Sequence, residues 1–382
     1  MADCIIPEGY KETVLGVIPK DWEVKVLGDL CDSIKSGNNK EKVNKGKYPV
    51  YGSTGIIGYT DISVYDGLMI LIARVGANAG FTYCVDGKYD VSDNTLILNV
   101  KSCYNFNFAY NQLLFYNLNK LVFGSGQPLV TAGQLKSLKI LLPSLSEQQK
   151  IAEIFNVWDK AIEKQTQLIE KLELHKKGLM QQLLTGKKRL PGFSGEWKRV
   201  KAGLLFGSSS IRSNKLEPLL SVTQDKGVVP RDMLETRVTM PNGDLSSFKL
   251  VDVGDFVISL RSFEGGLEYS KYRGIVSPAY TVLKKKTDLS DVFYKVYFKS
   301  NDFIQRLAVA VIGIRDGKQI SYSDFCYIKI PYPSLQEQNA IANVFVSCDD
   351  EILLAKQKLN RFQQQKKGLM QVLLTGKKRV TQ

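Results

Sequence analysis

The side chains that most often carry out enzymatic chemistry are scarce in this sequence. Its 382 residues contain one histidine, His175, whereas Ser-His-Asp hydrolysis, histidine-ligated zinc and imidazole acid–base catalysis all require a positioned imidazole. The six cysteines are scattered and form no Cys-x-x-Cys pair, which argues against a zinc ribbon or a thioredoxin-type motif. No two carboxylates stand out at a spacing that metal binding requires. We therefore predict no catalytic residue and no metal site in this chain.

Nucleotide-binding motifs are equally weak. The sequence has no Gly-x-x-x-x-Gly-Lys-Ser/Thr phosphate loop, so it predicts no site for ATP hydrolysis. The segment Phe123-Gly124-Ser125-Gly126 has the composition of a nucleotide-binding turn, but no clear helix follows it. We interpret it instead as a loop whose backbone approaches DNA, and we expect this chain to bind no cofactor itself.

The charge balance favours a polyanionic partner. Lysine and arginine together number 52 against 38 acidic residues, a formal net charge of +14, which is typical of nucleic-acid binding. The alternative is a basic but unspecialised surface. Residues 1–142 hold 14 basic and 13 acidic residues, so any DNA-binding cations there must be segregated onto one face.

The candidate DNA contacts are residues whose side chains suit nucleic-acid recognition. Lysines contact phosphates, while Asn, Gln and Arg can read base edges. The alternatives are a solvated loop and routine surface arginines. The candidates are Lys35, Asn38, Asn39, Lys40, Arg74, Ser125 and Gln127 in the first part of the chain, and Arg212, Gln224, Lys226, Arg261, Arg273, Arg315 and Lys318 in the second.

Composition also suggests a compartment. The first twenty residues contain no apolar signal-peptide core, and the longest apolar run, Leu68–Ala73, is far shorter than the ~20 residues of a spanning helix. Scattered free thiols fit a reducing environment. We expect a cytoplasmic protein with no membrane contact.

The chain contains a tandem repeat. Residues 143–190 match residues 333–380 at a constant offset of 190, with 24 identities in 48 positions. The preceding segments correspond more weakly: Trp22 and Trp197 open them, and Gly67–Arg74 aligns with Gly254–Arg261 at an offset of 187. The repeat divides the chain into variable segments 1–142 and 191–332 and constant segments 143–190 and 333–382.

Each constant segment has the pattern of a long helix. Ser144-x-x-Glu147 and Ser334-x-x-Glu337 fit capping boxes, and Gly186 and Gly376 suit C′ positions. Apolar residues recur every 3.5 residues, which predicts a coiled-coil seam between the two helices, the alternative being helices that pack on their own domains. The seam residues are Ile151, Phe155, Trp158, Ile162, Ile169, Leu172, Leu179, Leu183, Ile341, Phe345, Ile352, Leu359, Phe362, Leu369 and Leu373.

The predicted helices contain a histidine and two glycines that call for an explanation. His175 has Gln365 as its repeat partner, so we interpret it as a solvated surface residue. Gly178 and Gly368 lie inside the predicted helices, where glycine costs about 1 kcal/mol, and their repetition suggests either close helix packing or a kink.

The variable segments predict a mixed architecture. They contain short β-rich runs, such as Leu68–Val75 and Phe256–Leu260, separated by Gly, Asn and Ser clusters, with a few helical stretches. The expected fold class is α+β, with two globular mixed α/β domains separated by two long antiparallel helices and related by a pseudo-two-fold axis.

Together these motifs resemble the specificity (S) subunits of type I restriction–modification systems. The resemblance covers essentially the whole chain and rests on four sets of motifs. They are Ile18-Pro19-Lys20-Asp21-Trp22-Glu23-Val24, the Pro-Ser-Leu-x-Glu-Gln starts at 143 and 333, the Lys-Lys-Gly-Leu-Met-Gln-x-Leu-Leu-Thr-Gly-Lys-Lys-Arg ends at 176–189 and 366–379, and Leu190-Pro-Gly-Phe-Ser-Gly-Glu-Trp197.

The resemblance implies a function. Each variable segment would be a target recognition domain that reads one half of a bipartite, asymmetric sequence in double-stranded DNA. The constant helices would set the half-site spacing and dock two modification subunits, which hold S-adenosylmethionine and methylate adenine. Restriction subunits would add cleavage that depends on ATP and Mg. Competing readings are a stand-alone DNA-binding protein, a self-sufficient methyltransferase or nuclease, and a coiled-coil scaffold.

Overall fold

The computed structural model describes residues 6–40, 44–122, 128–212, 217–234, 245–310 and 320–380. The chain divides into two compact units: unit 1 comprises Met1–Thr166 and Gln357–Gln382, and unit 2 comprises Gln167–Lys356. Each unit therefore combines one variable segment with parts of both constant segments.

Unit 1 is built mainly from short strands. They are β1 (Tyr10–Thr13), β2 (Gly16–Pro19), β3 (Glu23–Val26), β4 (Cys31–Ser36), β5 (Tyr48–Gly52), β6 (Gly55–Thr60), β7 (Tyr65–Asp66), β8 (Met69–Ala73), β9 (Thr82–Val85), β10 (Lys88–Val91), β11 (Thr95–Val100) and β12 (Lys139–Leu142). Two helices, α1 (Phe106–Tyr116) and α2 (Ala132–Lys136), precede β12.

Two four-stranded sheets organise these strands. One is antiparallel throughout, with the order β4-β11-β8-β9, and one of its faces contributes to the main core of the unit while the other contributes to a second, smaller core. The other has the order β6-β5-β10-β7 and includes one parallel pair, β5 with β10. Two antiparallel two-stranded pairs complete the unit, the hairpin β1–β2 and the long-range pair β3–β12.

Unit 2 begins within the long helix α3 (Leu145–Leu183) and ends within a second long helix. Its strands are β13 (Lys198–Lys201), β14 (Phe206–Ser209), β15 (Leu220–Thr223), β16 (Gly227–Pro230), β17 (Lys249–Val251), β18 (Phe256–Ile258), β19 (Glu268–Tyr269), β20 (Gly274–Val276), β21 (Thr281–Lys285) and β22 (Lys329–Tyr332). Its helices are α4 (Ala202–Leu205), α5 (Ser262–Gly265), α6 (Asp291–Tyr297), α7 (Asn301–Ala310), α8 (Tyr322–Tyr327) and the long helix α9 (Leu335–Leu373).

The duplication extends into the variable segments. The main sheet of unit 2 has the order β14-β21-β18-β19, which repeats β4-β11-β8-β9 of unit 1 strand for strand. The pair β13–β22 repeats β3–β12, directly before each long helix. The expected α+β class with two duplicated domains and two long helices is therefore confirmed.

The seam residues lie inside the units. All fifteen are buried or half-buried. In unit 1 the start of α3 and the end of α9 share one core, and the ring centres of Trp158 and Phe362 lie 5.7 Å apart. In unit 2, Lys356 contacts Glu173 and Lys176 contacts Asp349. Since residue numbers rise along α3 as they fall along α9, the helix segments within each unit are antiparallel.

A buried glutamate joins the ends of the two helices in each unit. In unit 2, Glu337 at the start of α9 accepts hydrogen bonds from the Trp197 indole at 2.9 Å and from Nε and Nη2 of Arg189 at 2.6 and 2.7 Å. In unit 1, Glu147 accepts equivalent bonds from Trp22 and Arg379. We call these the Glu337 and Glu147 clasps.

The clasps correct half of the capping-box prediction. Ser144 and Ser334 do cap the backbone N–H groups of Glu147 and Glu337, each at 3.3 Å. The glutamate side chains do not return to the N-cap, because the arginine and tryptophan offer stronger, charge-assisted partners. Arg379 also binds Asp21, and this hydrogen bond lowers the pKa of the Asp21 carboxyl.

The helix ends match their predicted chemistry. Gly186 and Gly376 adopt left-handed conformations, with φ of 73° and 71°, so the C′ prediction is confirmed.

The close-packing explanation for Gly178 and Gly368 is wrong, because a Cβ at either position would meet nothing within 4 Å. Both glycines lie inside unbroken helices.

We expect Gly178→Ala and Gly368→Ala each to raise the free energy of unfolding by about 0.5–1 kcal/mol, because alanine restricts the unfolded chain and fits the helix without contact. Denaturant titration of each variant measures this. Gly186→Ala is the matched control with the opposite sign, since its Cβ would lie 3.1 Å from the Trp197 ring at a positive φ. Destabilisation by Gly178→Ala would contradict the open-space geometry.

No helix in the described ranges is long and apolar enough to cross a membrane. The cysteines within those ranges, which exclude Cys4, are all free thiols. His175 is exposed on α3.

Candidate nucleic-acid interface

The loop after β4 is held tightly against the turn between β10 and β11. The Gly37 N–H donates to the Thr95 carbonyl at 3.0 Å, and the Asn39 N–H donates to the Val91 carbonyl at 3.1 Å. A Cβ on Gly37 would lie 2.2 Å from the Val91 carbonyl oxygen, so this approach requires glycine. The loop is therefore fixed at its base, while Asn38 and Lys40 remain exposed.

Arg74 reaches the same turn from the end of β8. Its backbone N–H donates to the Asn94 carbonyl at 2.9 Å, and the Ser53 hydroxyl donates to the same oxygen at 3.1 Å. Within this turn, the backbone N–H of Asp93 donates to the Asn39 carbonyl at 3.3 Å. The fold thus brings together Asn39 and Arg74, which are far apart in sequence. We call residues 37–40, 53, 74 and 92–95 the unit 1 edge.

The unit 1 edge contains polar atoms without partners. Nε of Arg74, Oγ of Ser92 and Oγ1 of Thr95 are buried and make no hydrogen bond within the described chain. Such groups are uncommon in folded proteins and mark sites completed by water or a ligand. The Asn39 amide, by contrast, donates to Asp90 at 2.6 Å. Lys35 is exposed on β4, with its ammonium 5.5 Å from the Tyr65 ring centre.

Unit 2 gathers three of the predicted residues around one turn. The Gln224 amide donates to the Arg261 carbonyl at 3.3 Å, and Lys226 lies in the same turn between β15 and β16. The side-chain ammonium of Lys299, which lies just after α6, donates to the Gln224 carbonyl at 3.3 Å. Gln224, Lys226 and Arg261 are all exposed. We call residues 224–226 and 261 the unit 2 edge.

Two other predicted arginines lie elsewhere. Arg212 is exposed beside β17, opposite Lys249. Arg273 pairs with Glu217 at 2.9 Å and with Asp252, so its guanidinium is already neutralised. Asp252 also accepts from Lys284, and this hydrogen bond lowers the pKa of the Asp252 carboxyl. Ser125, Gln127, Arg315 and Lys318 fall outside the described residues, as does the Phe123–Gly126 segment.

The strand register corrects the alignment of Arg74 with Arg261. Ile70 and Ile72 of β8 face the main core of unit 1, and Phe256 and Ile258 of β18 face the main core of unit 2. Leu71 and Val257, which lie between them, face the opposite side of each sheet. The offset is therefore 186 here, so Leu260 lies at the position of Arg74 and Arg261 comes one residue later.

Sequence reasoning missed Ser53, Ser92 and Asn94. Their contribution depends on which strands pair, and a polar residue between two short strands carries no local sign of that pairing. A signal was present in Ser92-Asp93-Asn94, a run of turn formers between β-rich segments. Within the described ranges, no group of three or more His, Cys, Asp or Glu side chains is arranged to hold a metal ion.

The sequence has relatives along its whole length. Residues 19–174 match the family model described as the type I restriction modification DNA specificity domain. A putative type I restriction enzyme MjaX specificity subunit of Methanocaldococcus jannaschii is 28% identical, over 98% of this chain and 97% of its own. The MjaVIII specificity subunit of the same organism is 29% identical over 98% and 96%.

Solved structures show the same fold. The type I S subunit from M. genitalium superposes with a TM-score of 0.57 at 18% identity, covering 94% of this chain and 97% of its own. A chain from a type I R-M system structure gives a TM-score of 0.59 at 15% identity, covering 94% and 99%. The chain therefore combines a tandem repeat and duplicated sheets with similarity, over nearly its whole length, to proteins named type I restriction enzyme specificity subunits.

Proposed function

We propose that this chain is the sequence-specific DNA-recognition subunit of a type I restriction–modification enzyme. Each unit reads one half of a bipartite, asymmetric target in double-stranded DNA. One observation carries the proposal: two sheets with the same strand order support edges with different side chains. A duplicated scaffold with divergent edges is what the recognition of two unrelated half-sites requires.

The proposal assigns the chemistry to partner subunits. The relatives are named as specificity subunits, and this chain offers one exposed histidine and no predicted catalytic constellation. We infer that it is non-catalytic and docks two modification subunits through its constant helices, as well as restriction subunits. S-adenosylmethionine, ATP and Mg are expected on those partners, and the assembly is expected in the cytoplasm.

The decisive experiment is methylation mapping in a host that expresses this chain with its modification partner. We expect one bipartite methylated motif. Replacing residues 1–142 with those of another specificity subunit should change one half of the motif and preserve the other. A change in both halves would contradict independent reading, and methylation by the isolated chain would contradict the non-catalytic assignment. The absence of a partner complex would favour a stand-alone DNA-binding protein.

A further inference from the structure

Unit 2 contains a crevice of 400 Å³ beside its edge. Its walls come from α3, α6, the β15–β16 turn and the chain around β19, with Asp349 of α9 at one side. Gln224 and Lys226 belong both to the unit 2 edge and to this lining. The crevice therefore continues directly from the residues proposed to read bases.

Positive charge dominates the lining. Five lysines and three carboxylates face the crevice. Lys176 is paired with Asp349, and Lys299 is paired with the buried Glu268. The other lysines are Lys226, Lys271 and Lys295, and none of these three makes an ion pair with any part of the chain that the structure describes.

The environment of Lys295 is unfavourable for the positive charge of its side chain. It is half-buried, and its ammonium lies 5.8 Å from the Tyr269 ring centre. Burial lowers the pKa of Lys295, and the positive charge of Lys271 lowers it further. Asp349 opposes this shift but is already paired with Lys176, so Lys295 gains from a further bound anion.

A buried acceptor in the lining also lacks a partner. Glu268 is 1% exposed, and while one oxygen accepts from Lys299, Oε2 makes no hydrogen bond among the described residues. Burial raises the pKa of this carboxyl, and the hydrogen bond from Lys299 opposes that shift. A phosphodiester has no proton to donate to this oxygen, so an ordered water molecule would complete it beside a bound phosphate.

The duplicated fold provides an internal comparison. The backbone N–H groups of Asn105 and Ser290 both bond to a glutamine of the adjacent long helix, at 2.8 and 2.9 Å, which places α1 and α6 in register. Tyr110 then occupies in unit 1 the position of Lys295. Cys84, which pairs with Ile70, likewise corresponds to Tyr269, which pairs with Phe256, so the exposed Asp86 lies at the position of Lys271.

The lysines are therefore specific to unit 2. The ion pair between the long helices occurs in both units, as Lys366–Asp159 in unit 1 and Lys176–Asp349 in unit 2. The fold does not need the unpaired cations, because unit 1 forms the same elements with Tyr110 and Asp86. A role in binding explains them better than a role in folding.

We propose that this crevice binds a phosphate of the DNA backbone next to the bases that the unit 2 edge reads. The proposal rests on the proposed function. Lysines suit it, because they contact phosphates as mobile point charges without reading sequence. DNA is the favoured source of the phosphate, since Gln224 and Lys226 join the crevice to the edge. A free phosphate compound is the alternative that the experiment must separate.

The test is the salt dependence of DNA binding by the full chain with its modification partner. Each lost phosphate contact reduces the slope of log affinity against log salt concentration by about 1. We expect a reduction of about 1 for Lys271→Ala with Lys295→Met, and a smaller reduction for Lys271→Ala alone, equally on target and non-target duplexes. Lys271 is exposed, so its variant should fold. Lys139→Ala, an exposed lysine of β12, is the matched control.

Amine acetylation read by mass spectrometry identifies the ligand. Duplex DNA should protect Lys271 and Lys295, and inorganic pyrophosphate at the same phosphate concentration should not. Protection by pyrophosphate with unchanged salt slopes would overturn the proposal in favour of a small-molecule site. Equal slopes for Lys271→Ala and Lys139→Ala would also overturn it. If the unmodified complex bound no DNA specifically, the proposed function itself would fail.

Discussion

Glu337→Ala should destabilise unit 2 by about 3–5 kcal/mol. The Glu337 side chain is 2% exposed and Arg189 is 20% exposed, so the substitution leaves a largely buried guanidinium and the Trp197 indole without their acceptor. Removing one partner of a buried ion pair costs far more than the intact pair contributes. Hydrogen exchange, read peptide by peptide, should show the loss of protection in unit 2.

The equivalent substitution in unit 1 should have a smaller effect on stability. Glu147→Ala should cost less, because Arg379 is 40% exposed and retains Asp21. Glu153→Ala, at an exposed position of α3, should change the free energy of unfolding by no more than about 0.5 kcal/mol. If Glu337→Ala matched Glu153→Ala, the clasp would have no role in stability.

The long helices and the duplication could be predicted because their signals are local. A 3.5-residue apolar repeat needs no knowledge of the partner, and an offset of 190 with half of the positions identical is visible in the chain itself. The clasps could not be predicted in the same way. Glu147 and Arg379 are 232 residues apart, and the nearby serine offered a simpler explanation for the glutamate.

The candidate interface depends on strand pairing, which single-sequence patterns specify poorly. Asn39 and Arg74 were chosen for their chemistry, but only the pairing of β8 with β11 brings them to one turn. Arg273 looked equally suitable, yet Glu217 and Asp252 reach it through contacts that span 56 and 21 residues. Side-chain type therefore suggests candidates, and the topology decides which of them lie together.

The second large effect is expected at Gly266, which follows α5 and supports the unit 2 edge. Its backbone has φ 76° and ψ −166°, a region that only glycine occupies readily. A Cβ there would lie 1.8 Å from the Phe298 carbonyl oxygen. Gly266→Ala should therefore cost about 3 kcal/mol or more, from backbone strain of about 1–3 kcal/mol together with the displacement of a buried segment.

The functional result should be confined to one half of the target. The Gly266 N–H donates to the Ser262 carbonyl in the turn that carries Arg261, so moving it displaces the unit 2 edge. Methylation mapping should show lost discrimination at the half-site of unit 2. Gly37→Ala, whose Cβ would lie 2.2 Å from the Val91 carbonyl oxygen, should affect the other half-site instead. Because each glycine supports only its own edge, loss of both halves in either variant would mean that the two units do not read DNA independently.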